Sequence, residues 1–435
     1  PAPMIINGLI HSNGTLYLAP NTTDSLIIQG NATYSTGVSK FPPGARYWSS
    51  YRGDSWIPPE PTWTHGKAAQ LNQVPPIQPM GGAPEQVFDP NNPNADGFHQ
   101  IIDLPDPNHP DPEEISRRRM VNKAGLVVKI SGTNITITTQ HGAVVTDEAA
   151  IKAAFSKTIA RDEQKIVTTT TNSRGIVTTS TQTIPAVGIY DQREQKRVDT
   201  VEVDIGKLKD GLAKVHDFNN VIYIYDSTPR TPENPNPKAL RLINGAVLPD
   251  KGLTIASLNP VYIQGDYNTG GKGSAVPSNG KNSTAQSSPT VNGYTRKPSA
   301  VIADAVMFLS NSWNDANSHK TLSQRVASNT TYNTAILAGF QPSQIPGVNG
   351  ATEGSYSGGA NNFPRFLENW TDVYCTYYGS MVELFPSKTF TGKWETGNIF
   401  APPNRRWSFD TNFLTTPPPG SVEAVVLTRG PWSTF

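Results

Sequence analysis

Only one cysteine, Cys375, occurs in 435 residues, so no disulfide can form within the chain and a small disulfide-stapled scaffold is excluded. Charge is also scarce. Charged residues make up 16%, and 36 basic against 35 acidic side chains leave a net +1. That balance gives no long-range field to gather nucleic acid or anionic lipid. The one basic cluster, Ile115 to Met120 (ISRRRM), reads as a solvated loop. No apolar run reaches about 18 residues, so no segment is expected to cross a membrane as a helix. The seven histidines show neither HxH nor HxxxH spacing, which argues against a zinc site. A GxxxxGK phosphate loop and a GxSxG nucleophile elbow are both missing. No initiator Met or signal peptide opens the sequence. The expectation is a processed portion whose export segment lies upstream.

Turn formers are plentiful: 38 prolines and 36 glycines, with abundant Thr, Ser and Asn. This is the composition of a turn-rich, mainly β chain. Within it a short phrase recurs. Ile6-Asn7-Gly8 is followed by Ile28-Gln29-Gly30, and Ile243-Asn244-Gly245 is followed, at nearly the same interval, by Ile263-Gln264-Gly265. Each phrase follows strand-forming residues and precedes a turn-like stretch. A spacing near twenty, filled with short strands, suits one coil of a solenoid in which equivalent strands stack about 4.8 Å apart. Glycine would mark the corner, and the neighbouring Asn or Gln would ladder from coil to coil. The fold expected is a right-handed parallel β-helix with long loop excursions and a small α+β insertion.

Along the chain this gives N-terminal coils over 1–40, a proline-rich excursion over 41–125, an α+β insertion over 126–220, the main solenoid over 221–400 and a capping or exit arm over 401–435. In the insertion, Thr146 to Ile159 reads as a helix capped by Thr146 or Asp147, with Ile151, Ala154, Phe155 and Ile159 on one face. Gln164 to Ile184 reads as a Thr-rich hairpin turning at Asn172 to Gly175. A strand with a polar face follows over Lys196 to Leu208, then a short helix. The stretch 298–313 fits a helix face or buried strands equally well.

Several blocks, MIINGLIHSNGTLYL, YDQREQKRVDTVEVDIGKL, NGAVLPDKGLTIASLNPVYIQGDYN, SAVIADAVMFLSNSWND, NNFPRFLENW and PPNRRWSFDTNFL, resemble those of large bacterial surface proteins. These proteins carry a PilX-type, type IV pilus assembly-like N-terminal segment and occur in Verrucomicrobia and Planctomycetes. The resemblance covers most of the chain and is weakest over 41–120. It implies an extracellular or cell-surface location. It carries over no catalytic residue.

Candidate sites follow from chemistry. β-Helices also support polysaccharide lyases and hydrolases, and a hydrolase needs two carboxyls about 5–9.5 Å apart. The acids near apolar segments are Asp266, Asp304, Asp315, Glu368 and Asp410, none in an Asp-x-Asp pair, and the cations a lyase would use are Arg365, Arg405 and Arg406. Arg365 and Glu368, three apart, read as an ion pair with each other. Gln140-His141-Gly142 echoes a pectin-hydrolase dipeptide without its acids. Asn311 to Asn317 reads as an Asx-stabilised turn, and Cys375 as a small buried hydrophobe. No catalytic, metal or cofactor site is expected. The interaction candidates are Tyr47, Trp48, Tyr51, Trp56 and Trp63, rings clustered in a proline-rich stretch where they must pack on the chain, a neighbouring subunit or a sugar. The function expected is a non-catalytic structural or adhesive surface protein, filament-forming or pilus-associated, partnered by itself, other surface subunits or glycans. The alternative is a β-helix that binds or degrades polysaccharide.

Overall fold

The computed structural model describes residues 4–12, 15–17, 26–28, 32–35, 37–39, 62–63, 71–73, 97–171, 173–271, 290–341, 362–392 and 398–421. The chain is mainly β, and three sheets built largely of parallel neighbours organise it. The chain visits them in turn. Ser299–Ala303 lies in the first sheet, Val306–Leu309 in the second and Thr330–Asn333 in the third. Ala335–Phe340, Arg365–Phe366 and Tyr374–Gly379 then repeat that order. Each return lays a strand beside its predecessor in parallel register.

Parallel pairing puts like side chains in rows. In the first sheet Leu126, Ile222, Ile255, Val301, Ile336 and Met381 are successive register partners. In the second, Phe155, Val203, Leu242, Ile263, Phe308 and Phe366 are. Tyr332, Tyr377 and Trp407 form the matching row of the third. All but Met381, which is partly buried, belong to one buried apolar cluster. The strands read as near-continuous β-branched and apolar runs because parallel strands are covered on both faces. The ambiguous stretch 298–313 contains two strands, Ser299–Ala303 and Val306–Leu309, every residue of which is buried.

The repeated phrase is resolved with a shift. Ile6 and Ile28 are register partners, as the spacing implies. In the second pair Leu242, not Ile243, faces Ile263, so the register is displaced by one position and Asn244 matches Gly265. Both occupy left-handed backbone, at φ 54° and 80°. Asn tolerates that conformation better than other side-chain-bearing residues, so it turns one corner and glycine the next. Gly245 is needed for another reason: a Cβ there would sit 2.4 Å from the Tyr267 ring. The amide ladder that does link neighbouring segments is Asn268 with Asn333. Each donates Nδ2 to the other's carbonyl, at 2.8 and 2.9 Å, in a buried position.

Two strands of the 126–220 stretch, Leu126–Ser131 and Lys196–Asp204, join the first and second sheets in parallel. Antiparallel strands Asn134–Thr139 and Phe155–Thr158 cover the outer edges of these two. The expected helix from Thr146 is short. Glu148–Lys152 is helical, with Asp147 Oδ1 accepting from Ala150 N, but Phe155–Thr158 is a strand. Pairing of Phe155 with Val203 overrides the local helical pattern. The hairpin Gln164–Thr171 with Val177–Ile184 forms as read, and almost every residue is exposed. A bridge between Arg161 and Val187 closes its base. Replacing 164–184 by a short Gly-Ser turn is therefore expected to change unfolding stability by no more than about 0.5 kcal/mol, measured by urea denaturation.

Candidate functional site

The interaction residues fall mostly outside the described residues: Tyr47, Trp48, Tyr51 and Trp56 do so entirely. The backbone of Trp63 lies in the strand Thr62–Trp63, beside Ile28.

The candidate acids and cations are placed, and each is engaged in holding backbone, a counter-charge or a ring. Asp304 lies at the exit of Ser299–Ala303 and accepts from three successive amides, Lys388, Thr389 and Phe390, at 2.5, 3.0 and 3.2 Å. Burial raises its pKa, and those three hydrogen bonds oppose the rise. Asp266 accepts from Thr331 N at 2.9 Å. Asp315 takes both Arg241 Nη1 contacts, at 2.7 and 2.9 Å, and the Trp313 indole at 2.8 Å. Asp410 pairs with Arg296 through two bonds of 3.0 Å and caps the turn at Asn412. The expected pairing of Arg365 with Glu368 does not occur. A strand side chain at i and a residue past the strand end point to different places, and Arg365 meets Glu194 at 3.3 Å instead. Arg405 and Arg406 are buried in the third sheet, where Arg405 lies 5.4 Å from the Trp407 ring and Arg406 4.5 Å from that of Tyr374. Burial lowers the pKa of Arg405 to about 10. Cys375 is buried and its thiol is pushed up to about 12, as expected for an inert core group.

The densest cluster is one that sequence reasoning missed. It centres on the turn after the strand Ile189–Asp191. Asp191 Oδ1 accepts from Arg193 N and Glu194 N, at 2.8 and 3.0 Å, and its Oδ2 accepts the Tyr262 hydroxyl at 2.7 Å. Glu194 accepts from Thr391 N and Gly392 N, and from Arg365. Arg365 also donates to Phe390 O at 2.9 Å and Ser387 Oγ at 3.2 Å. Burial, then the charge of Asp191, raise the Glu194 pKa, and Arg365 pulls the other way. Nearby, Glu368 accepts Ser310 N and Oγ, both at 2.7 Å. Arg325 reaches the carbonyls of Leu367, Asn398 and Ile399. The only sequence signal is the charge density of DQRE, set before an apolar strand. Its partners, Tyr262, Arg365 and the amides of Thr391 and Gly392, lie about 70 to 200 residues further along the chain, and no local pattern names them.

These carboxylates have their oxygens occupied by amides, hydroxyls and guanidinium groups. The arrangement staples residues 190–194, 304, 310, 362–368 and 387–392 together. A second staple, Lys238 with Asp199 at 2.6 Å, links register partners on adjacent strands. Among the described residues no group of three or more His, Cys, Asp or Glu is placed to hold a metal ion, and no helix is long and apolar enough to cross a membrane.

The buried acids set a pH dependence. Burial pushes the Glu368 pKa from its ordinary 4.5 to about 7, outweighing its Ser310 hydrogen bonds. A raised folded-state value means the stability it contributes is complete below about 4.5 and lost as pH rises through about 7. Unfolding free energy should therefore fall between pH 5 and pH 8. Glu368→Gln should flatten that fall by on the order of 2 kcal/mol, read from urea titrations at both pH values.

No family model matches the chain, and no curated protein does. Among solved structures, the competence-associated pilin ComZ from Thermus thermophilus aligns over 97% of this chain and 69% of its own, at 11% identity and a TM-score of 0.31. A likeness at that level carries no assignment of fold or function.

Proposed function

We propose that the chain is a structural or adhesive surface protein, exported to the cell exterior and assembling with itself or other surface subunits, whose body is a right-handed parallel β-helix. The observation that supports this reading is the fate of the charged residues. Asp304, Glu194, Glu368, Arg325 and Lys238 use their hydrogen bonds to fasten one segment to the next. A scaffold needs that; an enzyme groove needs acids facing substrate. The stacked side-chain rows point the same way, since they make one continuous apolar cluster and no sheet among the described residues closes on itself. The resemblance to PilX-type surface proteins agrees with the location. The protein does no chemistry on this reading.

Negative-stain microscopy of purified protein, run beside a glycan depolymerisation assay, tests it. Rods or filaments with no release of reducing ends or unsaturated sugar products are expected. Turnover of any polysaccharide would replace the scaffold with the degrading enzyme as the better reading.

A further inference from the structure

Lys238 and Asp199 are register partners on the parallel strands Lys196–Asp204 and Lys238–Ile243, and both are buried. The two oxygens of this carboxylate are used differently. Oδ1 is held in place, accepting from the Ala160 amide at 3.0 Å and from Asn236 Nδ2 at 2.9 Å. Asn236 is itself fixed, since its Nδ2 also donates to Ala160 O at 2.8 Å. Oδ2 takes two nitrogens of different chemistry, Lys238 Nζ at 2.6 Å and Asn234 Nδ2 at 2.7 Å. An amine and a side-chain amide thus hang on the same carboxylate oxygen.

The turn that leads into the second strand aims Asn234 at this oxygen. Thr231 and Asn234 exchange backbone hydrogen bonds of 3.2 and 3.1 Å, and Thr231 Oγ1 accepts from Asn234 N at 3.1 Å. Pro235 and Pro237 restrict the backbone between Asn234 and Lys238. Pro235 also has no N–H, so the common self-reaction of asparagine, attack on its amide by the next backbone nitrogen, is closed to Asn234. Burial pushes the Asp199 pKa up, but hydrogen bonds from Lys238, Asn236, Asn234 and the Ala160 amide outweigh it and hold the group below its ordinary value. Asp199 is therefore an ionised carboxylate, a poor acyl group that can still carry a proton between its neighbours. The neutral amide of Asn234 is the better electrophile.

We propose that Lys238 and Asn234 join in an intramolecular isopeptide bond, formed by the chain itself with Asp199 as the proton carrier. The Lys238 ammonium gives a proton to Asp199 Oδ2, a transfer that removes two buried charges. The neutral amine attacks Asn234 Cγ. The Nζ–Cγ bond forms as the Cγ–Nδ2 bond breaks, and Asp199 passes its proton to Nδ2, returning to a carboxylate. The second proton that Nζ gives up on becoming an amide leaves with the ammonia as ammonium. The same oxygen contacts both the proton source and the leaving nitrogen, which is what such a relay requires. Holding amine and amide on one carboxylate also replaces a chance encounter with a local one. Asn234 is only half-buried, so ammonium has a way out. The reaction occurs once per chain and takes no outside substrate, so it goes beyond the scaffold reading and does not depend on it. The ring it closes ties the turn 231–237 to the first residue of the strand.

Mass spectrometry of the full-length chain, folded, then denatured and digested with trypsin, reads the bond. The expected product is peptide 231–241, uncut after Lys238 because an acylated lysine is no longer cationic, and lighter than its sequence by one ammonia. Asn234→Ala, which leaves the Lys238–Asp199 pair in place, should return the sequence mass and cleavage after Lys238. Lys238→Arg keeps a cation opposite Asp199 and should give no ammonia loss, with far-UV circular dichroism confirming that it folds. Asp199→Ala should lack the bond as well. Wild-type protein that is cut after Lys238 at its sequence mass overturns the proposal. So does peptide 198–207 joined to peptide 231–241 with loss of one water, which would make Asp199 the acyl group. A bond that persists in Asp199→Ala would overturn the proton relay. Peptide masses are the same whether or not the protein forms filaments or degrades a glycan, so this proposal and the scaffold reading stand or fall separately.

Discussion

Gly252→Ala should destabilise the protein by about 2–5 kcal/mol, the sum of a backbone cost and a steric one. Gly252 precedes the strand Leu253–Ala256 and holds φ at 85°. A Cβ added there would sit 2.0 Å from the carbonyl oxygen of Pro298. That oxygen is not free to retreat, because it accepts the Leu253 amide at 3.1 Å and immediately precedes Ser299, the register partner of Leu253. Left-handed backbone costs alanine about 1–2 kcal/mol. Forcing two packed strands apart costs about 1–3 kcal/mol more. Gly132→Ala is the control: its φ is 62°, but no atom lies within 4 Å of the added Cβ. It should lose about 1 kcal/mol, the backbone cost alone. The difference between the two variants in urea denaturation measures how tightly adjacent strands approach. Equal losses would mean that the close approach at Pro298 is absent.

Phe308→Ala comes next, with an expected loss of about 3–5 kcal/mol. Phe308 is fully buried on Val306–Leu309 and stacks on Tyr332 with ring centroids 3.8 Å apart. It also meets Phe366 edge to face, so one side chain ties the second sheet to the third across the core. Truncation leaves a cavity that stacked strands cannot close without breaking register on both sides. Phe308→Leu, which keeps most of the volume, should cost under about 1.5 kcal/mol. Near-UV circular dichroism, which reports the Tyr332 environment, should change with the alanine variant and little with leucine. A loss below about 1 kcal/mol for alanine would place the ring outside the packed core.

What could be read from the sequence followed the range of the interactions. The hairpin 164–184 was legible because its turn and its partner strand are adjacent. The helix cap at Asp147 was legible for the same reason, while the helix end was not. Phe155 fits a helical face locally, and only its pairing with the distant Val203 makes it a strand. The repeated Ile-Asn-Gly and Ile-Gln-Gly phrases pointed to the right pair of neighbouring strands. The first pair gave the register correctly and the second missed it by one, because Asn244 can hold the left-handed corner that Gly265 holds in the next strand. Asp304 and Glu368 stood out as isolated acids near apolar strands. Their partners, the amides of 388–390 and the Ser310 group, were invisible, since a backbone amide leaves no mark in composition. Stacking of Met4–Asn7 on Asn404–Phe409 joins opposite ends of the sequence and has no local signature at all.

The claim beneath all of this is that successive strands stack in register as a column. Lys129 and Glu383 are exposed on the first and last parallel strands of the first sheet, Leu126–Ser131 and Met381–Pro386, which are five strand steps apart. At about 4.8 Å per step their backbones should lie about 24 Å apart. Spin labels placed at both positions and read by double electron–electron resonance measure that spacing directly. One narrow distribution near this distance, widened by the label arms, is the result predicted. A distribution centred at twice that separation or more, or one split between two separations, would contradict the stack.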